Sequence, residues 1–234
     1  MDRRSSKLIL LCGWSKNGEY VVRDLLSGPT PPRVLVVAEK NVQLTPPLSE
    51  SPRVEIRRGA FEDPDVLDSL PLDDADALLL LSPESTRERT TGDDAMIILR
   101  AMVARHAAPT LRIIAEIRDH EHENAALEAG VDEVLVSRRY AGVMLSRALV
   151  NPSMATVFSD LFAPGEGISL ITNDSPSSLW GATFSQALEL TSRENRGVLL
   201  GLYRRGEFLV PPKKNHPIQE GDLLVLLTAL EGQS

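Results

Sequence analysis

Apolar positions along the first half of the chain come in short continuous runs separated by segments of helical spacing. Leu8–Cys12, Val34–Ala38, Val54–Ile56, Ala77–Leu81, Leu111–Ile117 and Val134–Val136 read as strands, most of them apolar on both faces. Between them, Tyr20, Val21, Leu25 and Leu26 recur at helical spacing from Gly18 onward. A helical turn is predicted over Asp65–Leu70. A longer helix is predicted over Ala95–Arg105, capped by Asp93 or Asp94, with Met96, Leu99, Met102 and Val103 as its apolar stripe. Glu121–Glu128 ends at Gly130, a left-handed cap. Lys40–Pro52 and Pro83–Gly92 read as loops. Strand and helix in regular alternation predict an α/β fold, a Rossmann-like, doubly wound parallel sheet.

The pattern then changes. Tyr140–Val150 is helical, with Met144, Leu145 and Leu149 on one side, and Asn151-Pro152 interrupts it. Met154–Phe162 carries Met154, Val157, Phe158, Leu161 and Phe162. A stripe of this size needs a partner, which is either another part of the chain or a second copy in a crossed-helix dimer contact. Ala163–Gly167 marks a boundary. Ile168–Ile171, Gly197–Tyr203, Glu207–Val210 and Leu223–Leu227 read as strands, Leu179–Leu190 as a helical segment and Arg204-Arg205-Gly206 as a hairpin turn. The expected organisation is a Rossmann-like lobe over 1–137, crossover helices over 138–163 and a small α+β domain over 164–234.

Composition narrows the function. A formal net charge of −8 argues against a nucleic-acid partner, which requires a basic face. The single cysteine, Cys12, has no intrachain disulfide partner and is expected to pack as a small hydrophobe in the first strand. No apolar stretch is long enough to span a bilayer. The polar lead Met1–Lys7 makes a poor signal peptide; it suits a complete soluble protein or a domain of a longer chain.

The chemistry concentrates at strand ends. Gly13-x-Ser15-x-x-Gly18 joins the first strand to the first helix, so its N–H groups and the positive helix end face a prospective anion. Ser15 stands where a dinucleotide fold usually has glycine. Its hydroxyl either bonds a phosphate oxygen or its Cβ obstructs the approach. Glu39 ends the second strand about 25 residues past the first glycine, where an acid holds ribose hydroxyls. Trp14 either stacks on an adenine or packs against the second helix. Glu116 and Arg118, at the end of the fifth strand, complete the candidate set; Arg118 pairs with phosphate, or with Glu116 or Asp119. Arg87 and Arg89 are further candidates for an anion. His120 and His122 diverge by roughly 200° on a helix, poor geometry for one metal. No catalytic metal site or nucleophile elbow is expected.

In order, Ile9-Leu-Leu-Cys-Gly-Trp-Ser15, Arg112-Ile-Ile-Ala-Glu116, Ala129-Gly-Val-Asp-Glu-Val134 and Glu220-Gly-Asp-Leu-Leu-Val225 resemble an RCK domain, the regulator of potassium conductance, followed by a TrkA-C type domain. The resemblance implies a cytoplasmic ligand sensor, not an enzyme, at the inner face of the membrane. It further implies homodimers formed through Tyr140–Phe162 that assemble into an octameric ring on a membrane potassium pore. Its implied ligand is NAD(H) or an adenine nucleotide, held by Gly13, Trp14, Ser15, Gly18, Glu39, Glu116 and Arg118. Calcium at the family's interlobe site is disfavoured, because the fourth strand ends in Ser82 and an arginine, Arg118, follows Glu116. Gly59-Ala60 replaces a Gly-Asp found in nucleotide-binding relatives. Two other readings stand beside this one: a separate regulatory subunit of a Trk or Ktr potassium uptake system, and a soluble NAD(P)-dependent oxidoreductase.

Overall fold

The computed structural model describes residues 7–28, 30–39, 42–82, 90–162, 168–194, 197–210 and 212–229. The loop readings at Lys40 and over Pro83–Arg89, including Arg87 and Arg89, lie outside the described residues, as does the boundary segment Ala163–Gly167. The chain divides into two compact units between Val150 and Asn151.

In the first unit, strands β1 (Leu8–Cys12), β2 (Arg33–Ala38), β3 (Val54–Arg58), β4 (Ala77–Leu80), β5 (Ile113–Ile117) and β6 (Glu133–Val136) form one parallel sheet in the order β3-β2-β1-β4-β5-β6. This is the strand order of a dinucleotide-binding fold, with its reversal between β1 and β4. Alternation along each strand feeds two cores. Leu10, Leu35, Leu78 and Ile113 point to one face, with Phe61 and Ile97. Leu11, Val34 and Val36 point to the other, with Val22 and Leu48. Side chains such as Leu10, Leu78 and Ile113 are wholly buried, each worth about 1.5–3 kcal/mol over exposure.

Helices cover both faces: α1 (Lys16–Ser27) packs on the side of Leu11 and Val36, and the short α2 (Pro64–Leu67), α3 (Thr90–Ala107) and α4 (Glu123–Glu128) pack on the side of Leu10 and Ile113, while α5 (Ser137–Val150) buries no residue. Helix α3 departs from the sequence reading in two ways. It begins at Thr90, so Asp93 and Asp94 lie inside it and cap nothing. Its buried face is Asp94, Ile97, Arg100, Ala101 and Ala104, while Leu99 and Met102 are exposed. The small side chains let the helix approach the sheet more closely than a leucine and methionine stripe would.

The second unit holds α6 (Met154–Leu161), β7 (Ile168–Asp174), α7 (Phe184–Arg193), β8 (Val198–Arg204), β9 (Glu207–Leu209) and β10 (Leu223–Ala229). Its strands form an antiparallel sheet in the order β7-β10-β8-β9. Helix α7 opens with a capping box, Thr183 and Gln186 exchanging hydrogen bonds. The β8–β9 hairpin turns through Arg205 and Gly206, both at positive φ (49° and 86°), matching strand twist in a two-residue loop. Asp222, 1% exposed, is gripped by a fork: Arg204 Nε and Nη2 donate to its Oδ1 and Oδ2 at 2.6 and 2.7 Å. Burial works against the Asp222 charge, but the fork and the Gln219 N–H (2.7 Å) hold its carboxyl below the usual range.

Candidate functional site at the carboxyl edge of the parallel sheet

The carboxyl ends of the parallel strands, beside the point where strand order reverses, are where ligands dock in such sheets. Two clefts lie there, each about 180 Å³.

The first cleft is bounded by the ends of β1, β2 and β3: Cys12-Gly13-Trp14, Ala38-Glu39 and Gly59. Gly13 has φ of 92°, its N–H donates to Val37 O (2.9 Å), and a Cβ there would stand 2.6 Å from Leu81 O. Only glycine fits this turn. Gly59, φ 150°, is equally constrained, since a Cβ would meet Val66 Cγ2 at 2.5 Å. Trp14 lines the cleft and packs over Gly18 of α1, on the sheet face opposite α2; it does not pack against the second helix. Glu39 lines the cleft and is exposed.

Two groups in this cleft carry unusual electrostatics. Arg100 reaches it from α3, 8% exposed, with Nε donating to Glu62 Oε2 at 3.0 Å. Burial opposes both charges, yet Cys12 and the bond to Glu62 raise the Arg100 pKa, and the bond from Arg100 lowers that of Glu62. Burial pushes the Cys12 thiol up to about 12, so it is protonated and unreactive at neutral pH.

The second cleft is bounded by the start of α1 and the ends of β4, β5 and β6, with Ser15, Ser82, Glu116 and Arg118 among its lining. Ser15 is the N-cap of α1: its hydroxyl accepts from Gly18 N (3.4 Å), and its carbonyl accepts from Glu19 N (3.1 Å). The hydroxyl is therefore engaged with its own helix. Buried Glu116 accepts from Asn17 Nδ2 at 2.7 Å. Arg118 pairs with Asp93 (Nη1 to Oδ2, 2.8 Å), rather than with Glu116 or Asp119.

The structure thus separates the residues expected to act together. Gly13, Trp14 and Glu39 share the first cleft, while Ser15, Glu116 and Arg118 share the second. Gly18 lies under Trp14 and lets α1 start close to Leu81. Two residues outside the expected set matter. Arg100 sits on the face of α3 that the apolar reading turned outward. Asp94, fully buried, accepts from Arg118 N (3.0 Å) and Asp119 N (3.1 Å) and meets His122 Nδ1 at 2.9 Å. It anchors the backbone after β5, and it engages His122 where a metal was considered. The repeat Asp94, Ile97, Ala101, Ala104 was the available signal for this face.

Residues 9–137 match the TrkA-N domain family, and the chain belongs to that family. Over 231 residues it is 22% identical to the calcium-gated potassium channel TvoK of Thermoplasma volcanium, covering 97% of this chain. The chain spans 64% of that relative's length. Among solved structures, the human SLO3 gating ring superposes with a TM-score of 0.71 at 13% identity, over 95% of this chain and 44% of that one. The GsuK channel bound to NAD gives a TM-score of 0.51 at 18% identity, over 96% of this chain and 37% of that one. These structures share the fold. No described helix is long and apolar enough to cross a membrane.

Proposed function

We propose that this chain is a ligand-sensing regulatory domain of a potassium channel and that its signal is an adenine nucleotide, NAD(H) among the candidates. The observation that carries the reading is the first cleft: a glycine turn without room for a side chain, an aromatic wall at Trp14, and the Glu39 carboxylate at the end of β2. Likeness to TvoK along almost the whole chain, and to a channel solved with NAD, supports the same reading. Calcium suits the second cleft poorly. Glu116 is engaged by Asn17, and Arg118 stands beside it where a hard cation would want oxygen.

The test is isothermal titration of NAD, NADH, ADP and ATP into the purified chain. A Glu39→Ala variant is expected to weaken binding about tenfold by losing charge-assisted bonds to ribose hydroxyls, with an unchanged melting temperature in the absence of nucleotide. Equal affinity in the two proteins would remove the ribose role. Absence of binding by all four nucleotides would remove the nucleotide reading. A ligand gates a pore only through unequal affinity for its two states. A tethered pore indifferent to a bound nucleotide would therefore count against the regulatory role.

The assembly we infer is a homodimer through the helices after β6, with dimers joining into a ring beneath a membrane pore on the cytoplasmic side. The first unit is taken as the nucleotide lobe and the strands of the second as a TrkA-C type domain. Exposed apolar side chains support the dimer: Val143, Leu145 and Leu149 on α5, the last 88% exposed, and Val157 on α6. Leu149→Asp with Val157→Asp is expected to convert a dimer to monomer in sedimentation velocity, with the circular dichroism spectrum preserved. A double variant that stays dimeric would place the contact elsewhere.

A further inference from the structure

The segment that follows β5, Arg118–His122, is tied to α3 by two neighbouring acids. Asp93 takes the Arg118 guanidinium at 2.8 Å. Asp94, wholly buried, accepts from the Arg118 and Asp119 N–H groups at 3.0 and 3.1 Å and faces His122 Nδ1 at 2.9 Å. A carboxylate taken out of water needs both hydrogen bonds and a counter-charge. The two N–H groups supply bonds but no net charge. Among the described residues, His122 is the one side chain able to carry a positive charge that pairs with Asp94.

Of these anchors, only the imidazole changes charge near neutral pH. A carboxylate can only accept, so Nδ1 carries the shared hydrogen and Nε2 is the nitrogen that gains or loses a proton. The His122 side chain is 30% exposed, so the proton exchanges with solvent while the fold stays closed. Its loss leaves the Nδ1–H bond in place but removes the counter-charge, and a charge-assisted bond becomes an ordinary one. The bond to Asp94 and the charges of Asp94, Asp119 and Glu121 raise the His122 pKa, while burial opposes them. The grip is therefore full below the unfolded value near 6.5 and is lost as pH rises through the folded value. Glu123 follows at the start of α4. The nearby cations are Arg118, which pairs with Asp93, and Arg138 and Arg139 of α5, which line a cavity with His120. His120 is 72% exposed and pairs with Asp119 at 3.4 Å.

We propose that His122 is a proton-operated latch: protonated, it clamps Arg118–His122 onto Asp94 of α3, and deprotonated in mild alkali it loosens that segment. Arg118 also lines the second cleft, so the wall of the cleft loosens with it. The Asp93–Arg118 ion pair does not titrate in this range and keeps the change local, leaving the sheet folded. A chain built in this way reads proton concentration as a signal of its own. The latch stands whether or not either cleft takes a nucleotide.

The experiment is amide hydrogen exchange of the full chain from about pH 6 to about pH 9, read as protection factors at Arg118 and Asp119, with the His122 ring followed by NMR. In the wild type, protection at both amides should fall about fivefold as the ring titrates, the difference between a charge-assisted and an ordinary bond. Protection at Leu10 and Leu11 in β1 should hold, and it reports that each variant is folded. His122→Gln, whose side-chain amide donates to Asp94 without titrating, should remove the pH dependence. His122→Ala should leave the segment loosened at every pH, and His120→Gln should behave as the wild type. Protection in the wild type that is flat with pH overturns the latch. So does a pH dependence that survives in His122→Gln or vanishes in His120→Gln, or a His122→Ala protein as protected as the wild type in mild acid.

Discussion

Replacing Arg204 with alanine is expected to destabilise the second unit by about 3 kcal/mol at neutral pH, the low end for stranding one partner of a buried ion pair. Asp222 is 1% exposed, and both its oxygens are held by the Arg204 fork. The variant leaves that carboxylate with the Gln219 N–H alone. Chemical denaturation in a Trp14→Phe background follows the loss, because Trp180 is then the only tryptophan. Its indole Nε1 donates to Ser175 O (3.1 Å), and the Ser175 N–H donates to Asp222 O (2.9 Å).

The pH dependence follows from the lowered Asp222 pKa. A carboxyl depressed on folding stabilises above its unfolded pKa, near 3.8, and the contribution is lost as pH falls through the folded value. The difference between wild type and Arg204→Ala should therefore shrink in acid, where the stranded carboxylate takes up a proton. A difference that is constant from pH 7 to pH 3 would show that the fork acts through shape and not charge.

The second large effect is expected at Asp94. Alanine there removes the acceptor for Arg118 N and Asp119 N and the partner of His122, at a cost of about 2–4 kcal/mol for groups left unsatisfied. Because this carboxylate fixes the backbone where β5 meets the second cleft, hydrogen exchange at Arg118 and Asp119 should rise by more than at β1. The hydrogen bond that protonated His122 donates to Asp94 raises the His122 pKa above 6.5, although burial opposes it. A raised histidine pKa contributes stability that is full below the unfolded value near 6.5 and is lost as pH rises through the folded value. Asp94→Ala should abolish that alkaline loss. Uniform exchange across the sheet, or the same alkaline loss in the variant, would show that Asp94 is not the anchor.

The parallel sheet was legible because its strands are apolar on both faces and separated by helical spacing. Leu10 and Leu11 serve opposite cores, and both had to be apolar. The first cleft was partly legible for the same reason: Gly13, Trp14 and Glu39 follow directly from strand ends, and strand order places strand ends together. Local turn chemistry also read correctly at Arg205-Gly206, where the backbone needs two positive φ angles.

What escaped was the register of α3 and the division of the site. Met96, Leu99, Met102 and Val103 form the more apolar stripe, but Ile97, Ala101 and Ala104 face the sheet; of the stripe, Val103 packs against that core while Leu99 and Met102 are exposed. Hydrophobicity ranks the first set higher, whereas the distance available between helix and sheet selects the second, and that distance exists only in the folded chain. The choice carried Arg100 into the first cleft and Asp94 beneath the second. The partner of Glu116 is Asn17, 99 residues away, and the partner of Arg118 is Asp93 rather than a neighbour in sequence. By itself, the amino-acid order determined the sheet, its carboxyl edge and the residue types delivered there, because these depend on local periodicity and strand ends. Which of those residues share a cleft, and which charges are already satisfied, depended on long-range pairing and close packing that only the tertiary structure decides.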